Sequence, residues 1–165
     1  MKETGLIFKA PLVRAILEGR KSQTRRVAKP VKHPDLGNLY TPGALAMERE
    51  PQHVIDRACP VGQPGDRIYV RETWAEVPRQ QPLTDENLPM REDGRIVVYE
   101  ADPQWKGARG FLCADGCIRW AKPERWSPSI HMRKSDSRIW LEITGVRVER
   151  LQDISEADAQ AEGVE

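Results

Sequence analysis

Apolar residues alternate with polar ones along three stretches of this chain, and along a fourth they return every three or four positions. The helical spacing comes first: Leu12, Ala15, Ile16 and Gly19 share one face of a segment running from Ala10 to Glu18. Pro11 stands near the first helical position, where its missing N–H costs least, and Gly19 can take the left-handed turn that ends a helix. Leu6-Ile7-Phe8 before it reads as a short strand, and Thr24–Val27 after it as the start of an extended segment. A turn at Gly62-Gln63-Pro64-Gly65-Asp66 opens a strand from Arg67 to Trp74. Its alternation puts Glu72 in line with Ile68, Val70 and Trp74, an unusual place for a carboxylate because burying one without a partner is costly. Residues 95–101 form a second strand. The longest signal covers 137–151, with Ile139, Leu141 and Ile143 on one face, a bend or bulge at Gly145, then Val146 and Val148. Ser155 is placed to cap a second helix that Gly163 can end. Residues 29–66 and 102–128, rich in proline, glycine and polar positions, read as loop-rich insertions. Several strands, two short helices and long loops predict an α+β protein built as a small mixed β-barrel in a single domain, 1–165.

Composition narrows the classes. At 165 residues, 39% hydrophobic and 31% charged, the chain can bury a core without disulfide staples. No apolar run reaches the roughly 20 residues a membrane helix needs, and the first residues lack a secretion signal, so a cytoplasmic location is expected. Cys59, Cys113 and Cys117 suit a reducing compartment. The Cys113–Cys117 spacing could serve zinc with Cys59 and His131 completing four ligands, but with one close pair only, ordinary cysteines are the expectation, and no metal or other cofactor.

Charge changes the picture more. Net charge is +1, yet nine Lys or Arg against Glu3 and Glu18 give residues 1–32 a local +7, leaving −6 for the rest. That asymmetry fits an anionic partner or simply a solvated face. The densest part is Gly19-Arg20-Lys21-Ser22-Gln23-Thr24-Arg25-Arg26: an amine and a hydroxyl three residues apart among cations. Such a group can grip a nucleotide's phosphate oxygens or attack an acyl group.

The order of Gly-Arg-Lys-x-x-Thr-x-Arg, Pro-Gly-Asp-Arg before a strand, a long strand, and Ile-Ser-Glu-Ala-Asp-Ala-Gln-Ala-Glu-Gly resembles the ASCH domain family, of the PUA-like superfamily of small barrels. Arg-Glu-Thr-Trp, Tyr-Glu-Ala-Asp and Trp-Ser-Pro-Ser-Ile-His-Met look like its phage- and prophage-associated branch. The resemblance implies RNA or modified-nucleoside recognition, and a barrel lacking the family's final strand. It also implies metal-free amidohydrolysis of an acylated cytidine-type base, as in the family's N4-acetylcytidine amidohydrolase. Carried over on its motifs, the catalytic residues are Lys21 as base, Thr24 as nucleophile and Glu162 as their partner. The binding set is Arg20, Lys21, Thr24, Arg25 and Arg26, joined by Arg71, Glu72 and Trp74. For each a plainer use stays open. Lys21 and Thr24 could form a phosphate-binding turn, Glu162 a surface ion pair, Arg71 and Glu72 a strand ion pair, and Trp74 a core filler. Tyr99 and Trp126 stay undecided, and His131 reads as a hydrogen-bonded structural residue. A phage assembly or host-interaction protein using the proline-rich loops as contact surface is the rival reading.

Overall fold

The computed structural model describes residues 1–48, 50–77, 96–102, 111–112, 118–119, 123 and 125–163. In chain order the elements are β1 (Glu3–Ile7), α1 (Ala10–Leu17), β2 (Val31–Lys32), β3 (Leu39–Tyr40), α2 (Pro42–Met47), α3 (Gln52–Arg57), β4 (Arg67–Arg71), β5 (Trp74–Val77), β6 (Ile96–Tyr99), β7 (Phe111–Leu112), β8 (Ile118–Arg119), β9 (Trp140–Glu142) and α4 (Glu156–Ala161). They fall into two compact units, one of Met1–Leu6, Ala15–Val70 and Arg138–Glu165, the other of Ile7–Arg14 and Arg71–Ser137.

In the first unit the sheet has the order β1-β4-β9. The expected barrel is not there: the described residues form this one three-stranded sheet and the two-stranded pairs β2-β3, β5-β6 and β7-β8, all open. The reason lies at a turn. β9 pairs with β4 through Arg67↔Glu142, Ile68↔Leu141 and Tyr69↔Trp140, and β4 begins at Arg67 because Gly65 turns the chain at a φ of 87°. Bonds from Gly65 N to Ile143 O and from Ile143 N to Asp66 O close the ladder there. Asp66 accepts from the backbone N–H of Lys2 and Gln63, which holds its carboxyl below the usual range and fixes the turn. Beyond Ile143 no strand among the described residues pairs with the long segment predicted over 137–151, so its second half runs on without a ladder. Its alternation survives without pairing. Ile139 is buried, Leu141 and Ile143 are half-buried, and after Gly145 the phase shifts so that Val146 and Val148 face inward.

Residues 29–66 differ most from expectation. They hold β2, β3, α2 and α3 around a core of Val31, Leu45, Val54 and Ala58, with Ala28, Tyr40 and Val148 packed on it. The prolines punctuate here. Pro42 opens α2, with Thr41 Oγ1 accepting from Ala44 N at 3.3 Å, and Pro51 precedes α3. His33 clasps the β2–β3 connection, its Nδ1 accepting from Asp35 N and Leu36 N at 3.2 Å each, with Glu50 Oε2 3.5 Å from Nε2.

In the second unit β5 pairs antiparallel with β6, Trp74 opposite Tyr99 and Val77 opposite Ile96. Trp74, Val97, Tyr99 and Met132 form its core. Tyr99 Oη donates to Asp136 O at 2.7 Å. The strand predicted to run unbroken to Trp74 leaves the sheet at Glu72 and Thr73 and re-pairs as β5. The predicted face nonetheless holds: Ile68, Val70, Glu72 and Trp74 are all buried. Most of 102–128, with Cys113 and Cys117, lies outside the described residues.

Candidate functional site

Two glycine-terminated helices build the ground on which the basic segment lies. α1 ends in a Schellman motif: Gly19 has φ 73°, its N–H reaches Ile16 O at 3.0 Å, and Arg20 N reaches Ala15 O at 2.9 Å. Lys21 N adds a second donor to Ala15 O at 3.0 Å. The chain thus leaves α1 in a fixed direction. Within α1 Val13, which lies off the predicted Leu12–Ala15–Ile16–Gly19 face, is fully buried, while on that face Ala15 is buried, Leu12 and Ile16 are half-buried and Gly19 is exposed.

α4 also ends on a left-handed glycine, Gly163 at φ 80°, with its N–H on Gln160 O at 2.8 Å. The last carbonyls of a helix have no partner inside it. Here the basic segment supplies them. Ser22 N and Gln23 N donate to Ala161 O at 2.8 and 2.9 Å, and Lys21 Nζ donates to Glu162 O at 2.9 Å. A second bond from Lys21 Nζ to Gln23 O, at 2.6 Å, folds the lysine back over its own segment. Gly163 must come this close. A Cβ placed on it would sit 3.0 Å from Ala15 Cβ and 3.2 Å from Lys21 Cβ.

Side chains complete the junction. Arg25 Nη1 pairs with Glu162 Oε1 at 2.8 Å, Nη2 with Glu149 Oε2 at 3.3 Å, and Nη2 lies 3.9 Å from Asp158 Oδ2. Arg147 binds Asp158 at 2.7 Å and Glu149 at 2.9 Å, and Gln23 bridges to both Arg147 and Asp158. Burial works against the Arg25 guanidinium, but its bonds to Glu162 and Glu149 outweigh that and raise its pKa. The Asp158 carboxyl is held well below the usual carboxylate range by hydrogen bonds from Ser155, Arg147 and Gln23. A carboxyl whose folded pKa is depressed stabilises the fold fully above its ordinary value of 3.8 and loses that contribution as pH falls through the folded value. The urea midpoint is therefore expected to drop as pH is lowered from 4 toward 2, and Asp158→Asn is expected to flatten that drop.

Lys21, Thr24 and Glu162 do gather at this junction, with changed relations. Lys21 meets Glu162 through the backbone carbonyl, while the Glu162 carboxylate is bound by Arg25. Thr24 Oγ1 accepts from Arg26 Nη1 at 3.3 Å. Burial pushes the Lys21 ammonium below its ordinary value; Glu162 opposes this and Arg26 adds to it. Of the other cations, Arg20 is paired with Glu18 at 2.5 Å. Arg26 is exposed and pairs with no carboxylate among the described residues; it donates to Thr24 and to Arg25 O at 2.7 Å.

Arg71, Glu72 and Trp74 belong to the second unit. Arg71 Nη2 donates to Ile130 O. Glu72 is 1% exposed, its N–H 3.2 Å from Met132 Sδ. Trp74 is 7% exposed within the core, and Ser127 N and O bridge to its backbone, so it fills a core rather than offering an open face to a base. Cys59 is half-buried and His131 exposed at the end of the short turn Ser129–His131; among the described residues no three His, Cys, Asp or Glu gather as a metal site. No described helix is long and apolar enough to cross a membrane.

Sequence reading missed Gln23, Arg147, Glu149 and Asp158. Arg147 and Glu149 did carry a signal: they occupy the polar positions that alternate with Val146 and Val148. Asp158 stands three residues after its cap Ser155, whose Oγ accepts from Asp158 N at 3.1 Å. No family model, curated protein or solved structure matches the chain.

Proposed function

We propose that this protein binds RNA or a modified nucleoside along the segment from Lys21 to Arg26. One observation carries the reading: the Arg26 guanidinium and the Thr24 hydroxyl lie 3.3 Å apart, directly after the stretch Arg20–Gln23 whose backbone is bonded to two helix ends. A cation beside a hydroxyl, on chain leaving an anchored stretch, can meet phosphate and ribose oxygens together. The motif resemblance to nucleoside-recognising ASCH proteins points to the same class of ligand. The cationic lip is narrower than the sequence suggests, since Arg20 and Arg25 are committed to carboxylates.

A second reading, amide hydrolysis of an acylated base, is favoured by the lowered pKa of Lys21. Lys21 Nζ donates to Gln23 O and Glu162 O, and in this reading its neutral form takes the proton from the nucleophile. Thr24 is the nucleophile in this reading and Glu162 orients Arg25 rather than relaying a proton.

Binding of a fluorescein-labelled single-stranded RNA oligonucleotide, followed by anisotropy across a salt series, tests the first reading. Arg26→Ala is expected to weaken binding and to reduce the slope of log K against log salt by about 0.7. Unchanged affinity and slope would refute it. Incubation with N4-acetylcytidine tests the second: turnover in the parent and none in Thr24→Ala supports hydrolysis, and no turnover in either removes it.

A further inference from the structure

Three carboxylates reach the segment that the proposed function places against RNA or a nucleoside, and they come from two places far along the chain. Glu149 follows β9, while Asp158 and Glu162 belong to α4 and its end. Between them they occupy both ends of the Arg25 guanidinium and the neighbouring Arg147. None of these side chains is fully exposed: Arg25 is 27% exposed, Asp158 18%, Glu162 25% and Glu149 29%. The Arg25–Glu162 pair is thus partly shielded from solvent, while Arg147 is 56% exposed, and a phosphate cannot share Arg25 with these carboxylates without lying beside like charge.

We infer that Glu149 and Glu162 form a built-in carboxylate clamp that stands in for an anionic ligand on Arg25 and lowers the affinity of the site until it is displaced. The inference rests on the proposed function, because it concerns the same segment. A phosphate arriving at Arg26 and Thr24 is one residue from Arg25. It gains the Arg25 guanidinium only by exchanging for the Glu162 carboxylate, a like-for-like swap of one anion for another. Exchange would leave Glu162 solvated at the end of α4, where the backbone N–H groups of Ser22 and Gln23 and the Lys21 ammonium still donate to the helix's last carbonyls. The clamp thus opens at the side chain without requiring α4 to detach. Removing its charge exposes one more cation to the ligand.

The test compares the parent with Glu162→Gln and with Glu149→Gln, which leaves α4 unaltered, using the same labelled RNA in a salt series. Both variants are expected to bind about 3–10-fold tighter and with a slope about 0.7 steeper, the signature of one added phosphate contact to a single strand. The gain is expected to vanish in the double variant E162Q/R25M. RNA binding by the variants with none by the parent also supports the clamp, as a site closed at rest. If the parent binds in an Arg26-dependent way and neither Gln variant binds tighter, the clamp is refuted and the functional reading stands. If no protein of the set binds RNA, both fall together.

Discussion

Replacing Leu45 with alanine is expected to destabilise the protein by about 2–5 kcal/mol, the usual range for emptying a leucine site in a closed core. Leu45 is 2% exposed, on α2, in contact with the cluster of Val31, Val54 and Ala58. Val31 and Val54 come from β2 and α3, so a cavity at Leu45 faces elements that are each too short to stand alone. α2 and α3 have six residues each and β2 and β3 two, and isolated helices of that length do not persist in water. Their order comes from the shared apolar centre. Urea unfolding followed by circular dichroism reads the effect, and a loss below about 1 kcal/mol would show that residues 29–66 are not packed as described.

Gly163→Ala is expected to cost about 1–3 kcal/mol for two reasons that act at one atom. The backbone there has φ 80°, which an L side chain disfavours, and the added methyl would lie 3.0 Å from Ala15 Cβ. The second term distinguishes this glycine from Gly19, whose φ of 73° is similar but whose added Cβ would meet nothing within 4 Å. Gly19→Ala is therefore expected to cost less, about 1 kcal/mol. Equal costs in the two variants, read from the same urea midpoints, would mean that the two helix ends do not meet.

Local signals were legible in the sequence wherever one residue's chemistry decides the outcome. Gly19 and Gly163 end helices because both take positive φ, and Ser155 caps α4 because its hydroxyl reaches Asp158 N. In the strands periodicity reported burial faithfully, even for Glu72, since it depends only on which way alternate side chains point, whereas in α1 it passed over the fully buried Val13. Pairing was not legible. Residues 137–151 alternate like a long strand, but a ladder needs a partner of equal length, and β4 starts at Arg67, so β9 stops at Glu142. The barrel expectation failed at that point. Residues 29–66 misled in the opposite direction: prolines read as loop markers stand at the starts of α2 and α3. Lys21, Arg25 and Glu162 do lie together at one junction, and of the readings left open for Glu162 the ion pair with a cation is the one the structure contains. Nothing in the residue types foretold that Lys21 would bind the backbone of Glu162 and leave its carboxylate to Arg25.

The docking of the basic segment on the end of α4 underlies the whole account, and amide hydrogen exchange at Ser22 and Gln23 tests it most directly. Both N–H groups point at Ala161 O, at 2.8 and 2.9 Å, in a stretch that belongs to no helix or strand. Slow exchange at both amides in the parent, accelerated in Gly163→Ala, is the predicted result. Exchange at the rate of an unstructured peptide in the parent would contradict it.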